Sequence, residues 1–263
     1  MIMTTEDFII ELFYNIDKEM IDVNKHPQSS LYPSEIVTLA VLFAIKGVGS
    51  RAFYRWLRRD WLSLFPKLPH RTRLLRLFKV HRHWSRMFMA DPTILGVIDS
   101  YGIEFIHPIR EGRSENQIGK KGKSNHRWVV GGKLCLLLNQ LGTVVDWGCS
   151  TANVHDSVFL YLVDKVKDKM IVLGDSHFHT KGADPQNLKI CERGRWNVRM
   201  LIETVLSMLT NVCKFKKLRH RVWEYFEARL GFMMAAFNIL VQWRGLVADE
   251  NGFVRLSIAE FSL

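Results

Sequence analysis

The sequence predicts an α/β fold in which a mixed sheet is flanked by helices and preceded by a small helical region. Two short apolar runs, residues 94–98 and 170–174, each end in Asp-Ser and have the composition of strands buried on both faces. Apolar residues recur at helical spacing before Asp91, and strand-like runs follow it. A predicted crossover helix, residues 153–168, separates the two apolar runs, and such a connection makes the second strand parallel to an earlier one.

Size and composition indicate a globular protein. With 263 residues, 48% of them hydrophobic and 24% charged, the chain is long enough for a substantial core in one or two domains. It has no charge-free apolar run of ~18 residues, so we expect no membrane partner. The N-terminus lacks the basic region of a secretory signal, and the cysteines lack the spacing of a zinc site or a disulfide framework. We therefore expect a cytoplasmic protein with reduced thiols.

The positive charge is concentrated in one segment. The formal net charge is +11, and residues 51–86 contain eleven Lys or Arg against a single acid, Asp60. Aromatic residues are interleaved with these cations, a pattern that favours contact with nucleic acid over a merely solvated basic face. The predicted DNA contacts in this segment are Arg51, Arg55, Arg58, Arg59, Arg71, Arg73 and Arg76.

Four helices are predicted before residue 91. They cover residues 5–24, residues 35–46 with Ser34 as the cap, a segment that begins at Ser50, and residues 71–89. Gly47 and Gly49 separate the second helix from the basic third one. A helix, a Gly-rich turn and a basic helix are compatible with a helix-turn-helix unit that binds DNA.

Strands dominate the next part of the chain. After residues 94–98, residues 102–107 either continue the first strand or form a second one, and residues 110–126 are a polar, basic loop. The later elements are a hairpin of residues 128–138 and 143–149, a strand at 170–174, a short run at 187–191, and helices at 196–212 and 218–243. Lys121, Lys123 and Arg127 are candidates to hold DNA from the basic loop; a solvated loop is the alternative.

Three acids occupy positions that suit metal-dependent phosphoryl transfer. Asp99 and Asp175 follow the two buried runs, and Glu203 lies in an apolar stretch with helical character. Two divalent metals held by two or three carboxylates can activate a nucleophile and stabilise the leaving oxygen of a phosphodiester. Each acid alone has a structural explanation, because Asp-Ser is common in turns and Glu203 can pair with Arg199. Their order along a βαβ unit makes a shared site the stronger interpretation.

Two other interpretations stay open at this point. Asp156, at the start of the predicted crossover helix, is a rival for the second carboxylate, although an acid is favoured there by the helix dipole. His177 and His179 flank one hydrophobic residue, as in single-strand nickases that attack with a tyrosine, for which Tyr161 or Tyr225 would be available.

Residues from about 94 to 243 resemble the DDE-type transposases of bacterial insertion sequences, which have an RNase H-like catalytic core. The motifs that carry the resemblance are V-I-D-S with Asp99, S-T-A-N-V-H-D with Asp156, V-L-G-D-S with Asp175, and R-M-L-I-E-T-V-L-S-M-L with Glu203. In that family the acidic triad falls at the first strand, the fourth strand and a following helix. The resemblance therefore implies that Asp99, Asp175 and Glu203 are catalytic and bind Mg²⁺ or Mn²⁺.

The helix of the third acid shows a Tyr, Arg, Glu, Lys signature in many members of this family. Here Trp196, Arg199 and Glu203 meet its spacing, Thr210 stands in place of Lys, and Lys214 follows one turn later. The resemblance implies that Arg199 and Lys214 contact DNA.

Together these observations predict a basic helical DNA-binding region at residues 1–90, an RNase H-like catalytic domain at 91–248, and a C-terminal tail at 249–263. The expected function is metal-dependent cleavage of element ends and strand transfer into target DNA, by a nucleoid-associated enzyme that pairs two double-stranded DNA ends as a dimer. The alternatives are a catalytically inactive, DNA-binding remnant of a transposase and a metal-dependent nuclease without strand transfer.

Overall fold

The structure is a computed structural model that describes residues 4–124, 127–191, 199–215, 218, 220–246, 256, 258 and 261. Its α-helices are α1 (Thr5–Glu19), α2 (Pro33–Lys46), α3 (Ser50–Asp60), α4 (Arg71–Val80), α5 (Leu160–Asp164), α6 (Arg199–Asn211) and α7 (Trp223–Arg244). Its strands are β1 (Leu95–Ile106), β2 (Lys120–Ser124), β3 (Arg127–Asn139), β4 (Val144–Thr151), β5 (Ile171–Gly174) and β6 (Leu188–Ile190). Short 3₁₀ segments lie at Arg82–Phe88, Pro108–Arg110, Asp156–Phe159 and Ser176–Phe178.

The strands form one six-stranded mixed sheet. The order β2-β3-β1-β5-β6 runs across it, and β4 pairs with β3 as well. β3 is antiparallel to β1, β2 and β4, whereas β5 is parallel to both β1 and β6. The predicted α/β class with a mixed sheet and flanking helices is therefore confirmed, as are the β3–β4 hairpin and the parallel pairing of the two strands. The prediction that Asp99 ends its strand is wrong, because β1 continues through Asp99 to Ile106 in its pairing with β3.

The first two helices show which residues cap them. Thr4 and Asp7 cap α1 reciprocally, since the Thr4 hydroxyl accepts the Asp7 N–H at 3.1 Å and the Asp7 carboxylate accepts the Thr4 N–H at 3.2 Å. The prediction that Ser34 caps the second helix is wrong, because Pro33 occupies its first position, which suits the fixed φ of proline. The Ser34 hydroxyl instead donates to Asp17 at 2.6 Å and joins α2 to α1.

The predicted helix over residues 71–89 is divided into two segments. α4 ends at Val80, and the chain continues as a 3₁₀ segment from Arg82 to Phe88. At this point the Ser85 hydroxyl donates to the Arg82 carbonyl at 2.6 Å, and the ring of His81 stacks on Trp84 with centroids 4.0 Å apart. Such local side-chain bonds compete with a regular α-helix.

Three predictions about the sheet region need correction or completion. Residues 102–107 continue the first strand, since β1 is unbroken to Ile106. The basic loop contains a strand, β2, whose Gly122 lies so close to the Ala152 carbonyl that a side chain there would collide with it.

The predicted crossover helix is only a 3₁₀ turn followed by the five residues of α5. Helix α6 agrees with its prediction over 199–211, and residues 196–198 lie outside the described residues.

The two faces of the sheet are covered very differently. On the wide face, one apolar cluster joins side chains of α1, α2, α4, α6 and α7 to sheet residues such as Val97 and Ile103. On the narrow face, a smaller cluster joins Ile98, Cys135 and Leu137 to α5 and its neighbouring turns. The N-terminal helices thus share a core with the sheet, because α2 packs on α7. Where domains begin and end stays a prediction, and of the predicted tail the structure describes only three residues.

Within the described part of the chain, no single helix has both the length and the apolarity to span a membrane. Only α2 and α3 taken together pass that test by length and composition, and they are bent by 117° relative to each other. The cysteines are all free thiols, as predicted.

Candidate functional site

Asp99 and Asp175 lie at neighbouring positions on two parallel strands. The last paired residues of β1 and β5 are Val97 and Leu173; Asp99 lies two residues further along β1, and Asp175 lies just after the end of β5. Asp175 also caps the following 3₁₀ turn, since its carboxylate accepts the His177 N–H at 2.9 Å. Asp99 accepts the Ser100 N–H at 2.7 Å. The turn chemistry is therefore confirmed for Asp175 alone, and both acids lie just beyond the parallel pairing of β1 and β5.

A cluster of possible metal ligands forms at this edge. Ligand atoms of Asp156, Asp175 and His177 all lie within 4.8 Å of one another. This set, the acidic cluster, contains both rivals for the second carboxylate, Asp175 and Asp156. Within the ranges that the structure describes, Asp99 and Glu203 are not members of it.

Asp156 is held in place by two side chains of the sheet. Its Oδ1 accepts hydrogen bonds from Lys133 Nζ at 2.7 Å and from the Ser100 hydroxyl at 2.8 Å. Lys133, only 9% exposed, also donates to the Val154 carbonyl at 2.7 Å. A buried lysine needs such partners, because an unpaired charge in the interior is costly. Our sequence reasoning missed Lys133; the available signal was a lone cation inside the apolar run of β3.

His177 and His179 form hydrogen bonds with two different acids. The His177 ring lies 3.0 Å from an Asp175 oxygen, and this hydrogen bond and the carboxylate charge raise the pKa of His177. The His179 ring lies 2.6 Å from Asp184, and that hydrogen bond lowers the pKa of the Asp184 carboxyl. Because the two imidazoles have different partners and only His177 joins the acidic cluster, the arrangement does not favour the nickase interpretation.

Strand alternation separates the acids between the two faces of the sheet. Ser100 bonds to Asp156 over the narrow face, so Asp99, its neighbour in β1, projects toward the wide face. Helix α6 packs on β1 and buries Ile202 and Val205 in the wide-face core, while Glu203 is exposed. Asp99 and Glu203 therefore share the wide-face side, and Asp175 lies at the edge next to Asp156.

The predicted DNA contacts of the helical region are mostly exposed. The buried side of α3 consists of Phe53 and Leu57, and that of α4 consists of Leu74 and Phe78. The exposed arginines are Arg51, Arg55, Arg58, Arg59, Arg73 and Arg76. Arg71 is half-buried and donates to the Ser50 hydroxyl at 3.3 Å, and Arg59 pairs with Asp60 at 2.6 Å.

The other predicted DNA contacts lie on different parts of the molecule. Lys121 lies 3.3 Å from Glu111, and Lys123 and Arg127 are exposed on β2 and β3. Lys214 donates to the Asn211 carbonyl at 2.8 Å, at the end of α6, and lines a cavity there. Arg199 begins α6, and its side chain lies outside the described part.

Comparison with known proteins adds no relative. No protein-family model matches the chain, and no curated protein matches it.

Proposed function

We propose that this protein is a DDE-type DNA transposase that cleaves element ends and joins them to target DNA. The observation that carries the proposal is the placement of Asp99 and Asp175 two residues beyond the last parallel pair of β1 and β5, Val97 and Leu173. The carboxyl ends of parallel strands are where α/β sheets collect ligand-binding groups. Asp156 and His177 lie at the same edge and add possible ligands.

The order of the strands supports the RNase H-like part of the proposal. In the family that the sequence resembles, the first two acids fall at the first and fourth strands. Asp99 lies in β1, and Asp175 follows β5, which is the fourth strand once the short β2 of the basic loop is set aside. Glu203 then lies on the following helix, α6, which packs against β1.

Carboxylate oxygens are the ligands that Mg²⁺ and Mn²⁺ prefer. Asp175 offers one within the acidic cluster, and the proposal adds Asp99 and Glu203, on the wide-face side, as the further ligands. Bound metal would supply activation of a water or 3′-hydroxyl and stabilisation of the leaving oxygen. Lys133 and Ser100 fix the carboxylate of Asp156 beside Asp175, so the acidic edge is already oriented.

The exposed arginines of α3 and α4 would bind the DNA backbone. Arginine pairs well with phosphate through its planar fork of donors, and clustered cations give sequence-independent affinity. The partner in this proposal is double-stranded DNA, and synapsis of two element ends would require at least a dimer.

The decisive experiment uses a supercoiled plasmid that carries the DNA flanking this gene, incubated with the protein and Mg²⁺ or Mn²⁺. We expect Asp99→Asn and Asp175→Asn each to reduce nicking by at least about a hundredfold, since each removes a charged metal ligand. Asp164→Asn, an exposed acid of α5, is the matched control and should behave like the wild type. Full activity in both test variants would refute the assignment.

The same assay separates the alternatives. Joined DNA ends among the products distinguish a transposase from a simple nuclease. DNA binding without any Mn²⁺ binding in calorimetry would indicate an inactive remnant. The variant Arg55→Gln/Arg58→Gln should weaken DNA binding and reduce the salt dependence of log K by about two if both side chains contact phosphates.

A further inference from the structure

A cavity of about 500 Å³ lies between the α2–α3 turn, α4 and α7. Its walls are largely apolar and include the aromatic rings of Phe43, Phe78 and Phe232. None of the residues that line it belongs to the acidic cluster. The proposed catalysis therefore leaves this space without a role.

The charged groups at the cavity are all basic. Among the described residues that line it, Lys214, Arg221 and Arg229 are cationic and none is acidic. Protein cavities with one sign of charge concentrate ions of the opposite sign. The composition of the lining thus favours an anionic ligand.

Arg229 is the most unusual of these groups. It is 7% exposed, and its guanidinium stacks on the ring of Phe43 at 3.6 Å. Its buried Nε has no hydrogen-bond partner within the described structure. Burial lowers the pKa of Arg229 to about 10, so the side chain is still charged at neutral pH. A buried charge without a hydrogen-bonded counter-ion is expensive, and an anion would offset that cost.

The N-terminus of α3 reaches the same cavity. Gly49 and Ser50 line it, and Gly49 occupies the cap position without any side chain that accepts the first-turn N–H groups. Helix N-termini with free N–H groups carry partial positive charge and bind phosphate groups. This feature and the unpaired Nε of Arg229 are independent observations that point to one kind of ligand.

We propose that the cavity binds a phosphate-bearing ligand, with Arg229 and the N-terminus of α3 on the phosphate and the aromatic wall against an attached nucleoside. Its volume lies within the range of small-ligand sites. Two sources share this chemistry: a free nucleotide and a nucleotide of bound DNA. The site lies beside the basic helices α3 and α4, so either source is accessible to it.

Calorimetry on the full chain, without divalent metal, tests this site separately from catalysis. The probes are inorganic phosphate, dAMP and a short DNA duplex. We expect Arg229→Met to weaken binding of the probe by about tenfold or more, because a charge-assisted hydrogen bond to phosphate is lost. Arg244→Met, at the far end of the same helix, is the matched control and should leave binding unchanged.

A second variant guards against misfolding of the first. Leu75→Trp places bulk in the cavity and keeps Arg229, so it should weaken dAMP binding while the circular dichroism spectrum stays native. His220, which also lines the cavity, gives a direct NMR readout: a bound phosphate should raise the pKa of its imidazole, and Arg229→Met should abolish that response.

The outcomes separate the two sources. Binding of dAMP that both variants weaken identifies a free nucleotide. Duplex binding that both variants weaken, with no binding of dAMP, identifies a nucleotide of the DNA. If folded wild-type protein binds neither phosphate nor dAMP and neither variant alters duplex binding, the proposal is overturned. Because no cleavage is measured, that result would leave the proposed transposase activity untouched.

Discussion

The wide and narrow faces of the sheet differ in how many polar groups they carry and in how far those groups are from solvent. The wide face is buried under α7 and the N-terminal helices, and α7 is enclosed on nearly every side from Phe226 to Val241. The narrow face has a small apolar cluster, and beside it Lys133 and Ser100 both donate hydrogen bonds to Asp156. The wide face thus supplies a large core, whereas the narrow face supplies an edge where charged groups are fixed within reach of solvent.

The difference shows how one sheet can provide both stability and chemistry. On the wide face, polar groups are few and connect elements of the core. The side-chain amide of Asn238 hydrogen-bonds to Val144 of β4 and to Phe88, the last residue of the 3₁₀ segment Arg82–Phe88, and so joins both to α7. On the narrow face, polar groups orient one another around Asp175. Substitutions on the two faces should therefore have different consequences.

The largest effect on stability is expected at Asn238. Its side chain is fully buried, accepts the Val144 N–H at 2.9 Å, and donates to the carbonyls of Phe88 and Val144. Asn238→Ala leaves these backbone groups unpaired and should lower the free energy of unfolding by about 4 kcal/mol in urea denaturation. Asn211→Ala, at the exposed end of α6, should change it by less than about 0.5 kcal/mol. Equal effects of the two substitutions would contradict the conclusion that the hydrogen bonds of Asn238 stabilise the wide-face core.

A somewhat smaller effect is expected at Lys133 on the narrow face. The side chains of Lys133 and Asp156 are only 11% and 13% exposed, so Lys133→Met leaves a mostly buried carboxylate without its cation. We expect a loss of about 3 kcal/mol in the same denaturation experiment. Adding Asp156→Asn should recover at least half of that loss, because it removes the unpaired charge. A double variant less stable than Lys133→Met would show that the ion pair is not the cause.

The smallest of these effects concerns pH and His220, near the start of α7. Burial, followed by the charge of Arg229, lowers the pKa of His220 to about 4. The unfolded chain takes up this proton near pH 6.5, whereas the folded chain resists it, so stability should fall as the pH falls from about 6.5 to about 4. The contribution is at most about 3 kcal/mol. In His220→Gln this part of the acid dependence of urea denaturation should disappear; an unchanged profile would exclude His220 as its source.

Much of the architecture followed from local pattern. The buried runs before Asp99 and Asp175 predicted two strands and their parallel pairing, because β-branched apolar runs joined by a crossover have few other solutions. The predicted helix bounds were less accurate where a side chain hydrogen-bonds to nearby backbone, as the Ser85 hydroxyl does with the Arg82 carbonyl after α4. The sequence did not predict strand β2, because a polar, lysine-rich segment has no alternation of apolar residues. Only the structure shows that Gly122 lets β2 approach the Ala152 carbonyl while it pairs with β3.

The sequence by itself determined the class of fold, the concentration of basic charge in residues 51–86, and the acids that follow two buried apolar runs, since composition and periodicity encode these directly. The tertiary structure alone decided which groups meet: Asp156 and His177 beside Asp175, Lys133 beneath Asp156, and Arg229 against Phe43 in a cavity without acids. The physical reason is that these contacts, apart from the local one between His177 and Asp175, join residues far apart in the chain. Their partners are selected by the cost of burying a charge, which depends on the folded surroundings and on no local pattern.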